Sequence, residues 1–265
     1  MKTAEIDFNS LVDEHGSMVF NLAFRITGNR QDAEDVVQET FLQAFKGLEG
    51  FRGESSLSTW IYRIAVNSSL KVKRKLDRAY LDSLDEKIEI FKDDIPDDVR
   101  GWFDDPAETA HLQALLTEIN EGCIHFMTFR LTDEQRVVYI MFYVLEFSQA
   151  EIADVLRTSE NVVKARLHRA RVQLGKYFQG RCERLGACGR DSCTCKSRVG
   201  FALSIDPELL KRVRTRALKT SADAALGEYL MRKVDDISEL YRGIPLLEYK
   251  AEQAKSHISE LQNKT

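Results

Sequence analysis

A chain of 265 residues, 43% hydrophobic and 30% charged, holds enough material for two modest domains and a connector. With only 14 Gly and 4 Pro it is neither collagen-like nor disordered, and it favours helices. The longest apolar run, Val137 to Leu145, stops at Glu146, well short of the roughly 20 residues of a bilayer span, and the N-terminal MKTAEIDFNS lacks an apolar signal core. A cytoplasmic chain with no membrane partner is therefore expected.

The formal net charge of −4 conceals a segregated pattern. Five bases, Lys71, Lys73, Arg74, Lys75 and Arg78, stand against Asp77 in one patch. Seven more, Lys164, Arg166, Arg169, Arg171, Lys176, Arg181 and Arg184, stand against Glu183 in another. Between the patches, residues 82–108 carry eleven acids and three bases, a local charge of −8. Two cationic surfaces separated by an acidic connector suit a polyanionic partner that the whole-chain charge alone would hide.

In chain order, the first clear helical period runs from Asp32 to Leu48, where Val37, Phe41, Ala44 and Leu48 recur at steps of four, three and four. The opposite face carries Asp32, Asp35 and Glu39 with Gln38 beside them, an acidic stripe that reads either as a solvated surface or as a dock for a basic partner. Next, Phe51 to Asn67 opens as a Gly/Ser-rich loop and becomes helical through Leu57, Trp60, Ile61 and Ile64, running into the first basic patch. Aromatics beside cations suit single-stranded nucleic acid, since bases stack on rings while cations hold phosphates; the other reading is that Trp60 and Tyr62 are core residues, an equal reading for Trp60. The stretch from Arg78 to about Pro106 reads as a flexible acidic tether, and a new helix is expected from Asp105 and Pro106. From Leu131 onward, Gln149–Leu156, a turn at Arg157 to Ser159 and a helix from Glu160 to about Tyr177 have helix-turn-helix spacing. Ile152, Ala153 and Leu156 would face Val163, Leu167, Ala170 and Leu174, leaving Asn161, Lys164, Arg166, His168, Arg169 and Arg171 outward for a major groove.

Two of these segments together resemble a bacterial RNA polymerase sigma factor of the extracytoplasmic-function group. DAEDVVQETFLQAF (Asp32 to Phe45) with FRGESSLSTWIYRIAVN is similar to sigma region two, and LTDEQRVVYIMFYVLEFSQAEIADVLRTSENVVKARLHRAR to region four. The resemblance implies an all-α fold of two small helical domains: region two over 1–78, an acidic linker over 79–107 and region four with its helix-turn-helix over 108–181. It implies that Asp32, Asp35, Gln38 and Glu39 dock on core RNA polymerase. Phe51, Ser56, Trp60, Tyr62 and Asn67 would open and hold the minus-ten element, with Lys71, Lys73 and Arg74 on neighbouring phosphates. Asn161, Lys164, Arg166, His168, Arg169 and Arg171 would read the minus-thirty-five element of promoter DNA. The identity of any anti-sigma factor is left open. The chain departs from the family pattern in having NEGCIHFMTFR before Leu131, Leu131-Thr132-Asp133 for the usual Leu-Pro-Glu, and Arg157 for the usual turn Gly.

The segment 182–200 gathers Cys182, Cys188, Cys193 and Cys195, with Cys123 alone upstream. In a cytoplasmic chain such a cluster binds a thiophilic metal, zinc first, or acts as a redox switch, or consists of inert surface thiols; all three readings stay open. Residues 201–265 read as an amphipathic helical extension, with Leu226, Leu230, Val234, Ile237 and Tyr241 on one stripe and Ala251, Ala254, Ile258 and Leu261 on another. The five His are scattered and no phosphate-binding Gly loop exists, so the chain is not expected to be an enzyme. The competing function is a helix-turn-helix regulator that binds operators without polymerase. A third is a thiol metal buffer with an incidental DNA domain.

Overall fold

The computed structural model describes residues 8–72, 86–87, 90–91, 93–179, 198–217, 241–242, 246–247, 249–252 and 255–256. Its described residues form helices and no strands. In chain order the helices are α1 (Phe8–Thr27), α2 (Arg30–Gly47), α3 (Leu57–Val72), α4 (Asp97–Gly101), α5 (Thr109–Met127), α6 (Asp133–Tyr143), α7 (Gln149–Leu156), α8 (Glu160–Phe178), α9 (Val199–Ile205) and α10 (Leu209–Ala217). They fall into two compact units: Met1–Lys75 with Leu131–Ala170 and Gly243–Thr265, and Leu76–Arg130 with Arg171–Arg242.

In the first unit, α1, α2 and α3 bury Val12, Val19, Phe20 and Ile26, then Val36, Val37 and Phe41, then Ile61 and Ala65. The sequence sets each helix start. Asn29 caps α2 by accepting from the Asp32 amide at 3.0 Å, and the Ser56 hydroxyl caps α3 by accepting from the Thr59 amide at 3.0 Å. Capping boxes open α6 (Thr132 with Gln135) and α7 (Ser148 with Glu151). Thr132, standing where the family has Pro, thus supplies a helix start of its own. The two hydrogen bonds from Ser148 hold the Glu151 carboxyl below its ordinary range.

The C-terminal segment of the same unit lies on α1. Buried Asn21 donates from Nδ2 to the Leu247 carbonyl at 3.0 Å and accepts the Leu247 amide at 2.7 Å. Tyr249 stacks on Phe20, with ring centroids 5.0 Å apart, and Lys255 pairs with Asp13. Gly16 makes room for this segment, since a Cβ there would stand 3.3 Å from Tyr249 Cε1. Burial raises the Tyr249 hydroxyl to about 12.

The second unit corrects the expectation of a tether up to Pro106. Its core joins Val99 and Trp102 to Leu115 and Ile119 of α5, Val199 of α9, and Leu209 and Val213 of α10. Val99 is fully buried on α4, and Trp102 stacks on His111 at 5.1 Å, so the last part of the acidic stretch is an apolar wedge with acids outside it. Arg214 pairs with Asp98 at 2.5 Å and lies 5.9 Å from the centre of the Trp102 ring. Gly200 packs so tightly under the Phe91 carbonyl that a methyl group there would collide with it.

Candidate nucleic-acid interface

The acidic stripe lies on α2 as its period requires. Asp35 and Glu39 are exposed, Asp32 and Gln38 are half-buried, and Val36, Val37 and Phe41 fill the core side. The stripe is a displayed anionic surface.

The loop and helix that follow it build an open cavity of about 650 Å³, lined by Phe51, Arg52, Glu54, Ser55, Trp60 and Arg63, and by Ala153, Asp154, Arg157 and Thr158. Phe51 and Trp60 lie 5.1 Å apart with ring planes 37° from parallel, and the Trp60 ring rests over Gly47. Both aromatics are only half-buried, so part of each ring faces the cavity. Aromatic faces beside guanidinium groups can stack a planar base and hold its phosphate.

The other expected minus-ten residues separate into distinct roles. Asn67 and Lys71 are exposed on α3. Ser56 is the α3 cap. Tyr62 is packed inward: it is 9% exposed, its hydroxyl shares a 3.2 Å hydrogen bond with His15 Nδ1, and its ring meets Phe147 edge-on at 5.0 Å. Burial raises the Tyr62 hydroxyl to about 12 and lowers the His15 imidazole, so both stay neutral at neutral pH. With ring and hydroxyl already engaged, Tyr62 offers no face to a base in this state. Lys73 and Arg74 lie outside the described residues.

The helix-turn-helix spans α7 and α8 as its spacing predicts. Val163, Leu167, Ala170 and Leu174 form the buried stripe of α8, while Ile152, Ala153 and Val155 are the buried residues of α7. Leu156, expected to face α8, is half-buried, and Val155 takes its place in the core. Arg157, where the family has Gly, adopts the left-handed conformation (φ 49°, ψ 51°) and its amide closes α7 onto the Ala153 and Asp154 carbonyls. The turn geometry survives without Gly, against a conformational cost of about 1–2 kcal/mol.

On the outer faces, Asn161, Lys164, His168, Arg169 and Arg171 are exposed, as groove contact requires. Arg166 differs, because its half-buried guanidinium pairs at 3.1 Å with Glu134 of α6 and braces the helix. Sequence reasoning passed over Arg63, although it follows Trp60 by one helical step on the same face. The cluster Cys182, Cys188, Cys193 and Cys195 lies outside the described residues, among which no group of three His, Cys, Asp or Glu could hold a metal. No described helix is long and apolar enough to cross a membrane.

Comparison with known proteins meets this geometry on both sides. Residues 11–79 match the Sigma-70 region 2 family and residues 122–174 match Sigma-70, region 4. The chain is 30% identical over 176 residues to the ECF RNA polymerase sigma factor SigW of Bacillus subtilis (strain 168), covering 65% of this chain and 89% of that one. The chain belongs to the ECF RNA polymerase sigma factors. It is also 33% identical over 190 residues to SigG of Mycobacterium tuberculosis (strain ATCC 25618 / H37Rv), covering 68% of this chain and 51% of that protein. The chain thus spans about half the length of that relative. Among solved structures, CnrH in complex with the cytosolic domain of CnrY matches with a TM-score of 0.45 and 23% identity, over 64% of this chain and 86% of that one. Within the family frame, α2 and α3 belong to region two, and α6, α7 and α8 to region four.

Proposed function

We propose that this chain is a transcription initiation factor that binds core RNA polymerase through Asp32, Asp35, Gln38 and Glu39 and directs it to promoters. The observation that carries the reading is the pairing of an exposed acidic stripe and an aromatic, arginine-lined cavity with a helix-turn-helix whose outer faces are cationic. A repressor that reads duplex DNA alone has a use for the last feature and none for the first two. Phe51 and Trp60 hold an unpaired base of the minus-ten element, while Asn67, Lys71, Lys73 and Arg74 follow its backbone. Asn161, Lys164, His168, Arg169 and Arg171 read the minus-thirty-five element. The chain lends specificity and carries out no chemistry itself.

Trp60→Ala separates strand opening from duplex binding. The variant bound to core polymerase should still occupy duplex promoter DNA, yet show much weaker permanganate reactivity of unpaired thymines, because stacking on one aromatic is worth about 1–3 kcal/mol per base. Trp60→Phe keeps a ring and should recover part of the opening. Wild-type opening in Trp60→Ala would return the ring to a packing role against Gly47.

The four-cysteine segment is proposed to hold one thiophilic metal, zinc first. Arg181, Arg184, Arg190, Lys196 and Arg198 flank the thiols in sequence and favour thiolates, and four thiolates suffice for a tetrahedral site. Elemental analysis of full-length protein purified without chelators should find about one metal per chain, lost in Cys193→Ser/Cys195→Ser. Absence of stoichiometric metal in the wild-type chain would favour a redox switch or inert thiols.

A further inference from the structure

We infer that the C-terminal segment around Leu247 and Tyr249 is a strap for region two: it docks along one face of α1, fixes α1 against the first turn of α2, and so holds the acidic stripe in the form that core polymerase binds. The inference rests on the assignment of that stripe to polymerase docking. The segment lies beyond the residues matched to either sigma region, so the family frame does not account for it.

The contact has the parts of a peptide-recognition site. The side-chain amide of buried Asn21 meets one backbone residue with both its ends, donating to the Leu247 carbonyl at 3.0 Å and accepting the Leu247 amide at 2.7 Å. Such a pair of bonds holds the backbone whatever side chain it carries. Two residues on, the Tyr249 ring stacks on Phe20, with centroids 5.0 Å apart and planes 17° from parallel. The space for it is left by Gly16, where a Cβ would stand 3.3 Å from Tyr249 Cε1. Beyond the ring, Lys255 pairs with Asp13. The segment therefore meets Asn21, then Phe20 and Gly16, then Asp13 as it advances, and runs antiparallel to α1. Asp13, Gly16 and Phe20 follow one another at steps of three and four, which places them on one face. Backbone, ring and charge are each matched along that face.

The same ring leads to the polymerase-docking helix. Arg30, the first residue of α2, has its guanidinium 5.2 Å from the centre of the Phe20 ring and donates from Nε to Glu34 at 3.0 Å. The Glu34 charge in turn acts on the Tyr249 hydroxyl, adding to the burial that raises it. Phe20, Tyr249, Arg30 and Glu34 thus join the strap, α1 and the opening turn of α2, the turn in which the stripe begins at Asp32. Asp35 and Glu39 stay exposed with the strap in place, so it supports the stripe without covering it. Release would leave the Asn21 amide without its Leu247 partner. It would also uncover Phe20 and Phe24, whose rings stack 6.2 Å apart. Both costs favour a rearrangement of α1, and through Arg30 the start of α2 follows.

Amide hydrogen exchange and core-polymerase affinity, measured together on full-length variants, test the strap. Tyr249→Ala removes the stacked ring. Amides of α1 near Gly16 to Asn21 and at the start of α2 should then exchange up to about tenfold faster than in the wild-type chain, the effect of losing one aromatic pair. Core affinity should fall by about fivefold, as expected when about one chain in five keeps the competent form. Tyr249→Phe keeps the ring and should match wild type in both readouts. Gly16→Leu approaches the contact from α1: replacing Gly favours the helix, yet the new side chain fills the seat of Tyr249, so core affinity should fall while α1 itself gains. This variant takes the place of Tyr249→Ala if circular dichroism shows that the latter has lost its helices. Wild-type core affinity in either folded variant, or unchanged exchange in Tyr249→Ala, would overturn the strap. A rise in affinity would make the segment a shield and overturn it as well, as would a Tyr249→Phe chain that behaves like the Ala variant. Failure of the wild-type chain to bind core polymerase would instead remove the assignment of the stripe on which the strap rests.

Discussion

A chain carrying Asp35→Lys and Glu39→Lys is expected to lose core polymerase, with affinity down by roughly 100-fold or more, while unfolding at the wild-type temperature. Both carboxylates are exposed on the outward face of α2, one helical turn apart, and neither fills the core beneath, where Val36, Val37 and Phe41 are fully buried. Charge reversals at such positions seldom change stability by more than about half a kcal/mol. Binding responds more strongly, because each reversal both removes an attraction and places a cation against a cationic partner, and like-charge juxtaposition costs several kcal/mol. Asp32 is a poorer choice for this test. It sits half-buried in the first turn of α2, where a negative charge favours the helix dipole, so reversing it would mix folding with binding. Wild-type retention of polymerase by the double variant, measured by fluorescence anisotropy with thermal melting as the control, would leave the stripe a solvated face.

Lys164→Ala with Arg169→Ala is expected to weaken promoter binding by the polymerase-bound protein and to flatten its salt dependence. Each lost phosphate contact removes about 0.9 from the slope of log affinity against log salt, so the pair should lower it by about 1.8. The two side chains are exposed, while the stripe that seats α8, Val163, Leu167 and Ala170, is untouched. Lys164 has Glu160 only at 4.0 Å, an exposed pair of little worth to stability. Arg166→Ala is the instructive contrast. Its loss should loosen α8 from α6 through the Glu134 pair and lower thermal stability rather than act as a third groove contact. An unchanged slope in Lys164→Ala/Arg169→Ala would place the DNA-reading surface elsewhere.

The helix-turn-helix was legible because one period governs it: steps of four, three and four from Val163 to Leu174 can be satisfied only by a single buried face. The acidic stripe was legible for the same reason, as the complement of Val37, Phe41 and Ala44. What escaped were features decided by distant partners. Tyr62 reads in sequence either as a base contact beside the basic patch or as a core ring, and the choice depends on His15 and Phe147, 47 residues before it and 85 after. Arg166 is indistinguishable in sequence from Lys164 or Arg169 until Glu134 of another helix comes alongside. Helix α4 is five residues long, too short to show a period, and its apolar Val99, with Trp102 just after it, is outnumbered by surrounding acids. Arg63 carries no signal of its own for the Val155 carbonyl, which only the fold brings within 3.1 Å.

Run-off transcription with purified core polymerase on genomic fragments tests the central claim most directly. The wild-type chain should bring core polymerase to a discrete set of start sites silent with core alone, and Asp35→Lys/Glu39→Lys should leave those sites silent. Transcripts unchanged by adding the chain, together with duplex binding that needs no polymerase, would contradict the assignment and favour a free-standing helix-turn-helix regulator.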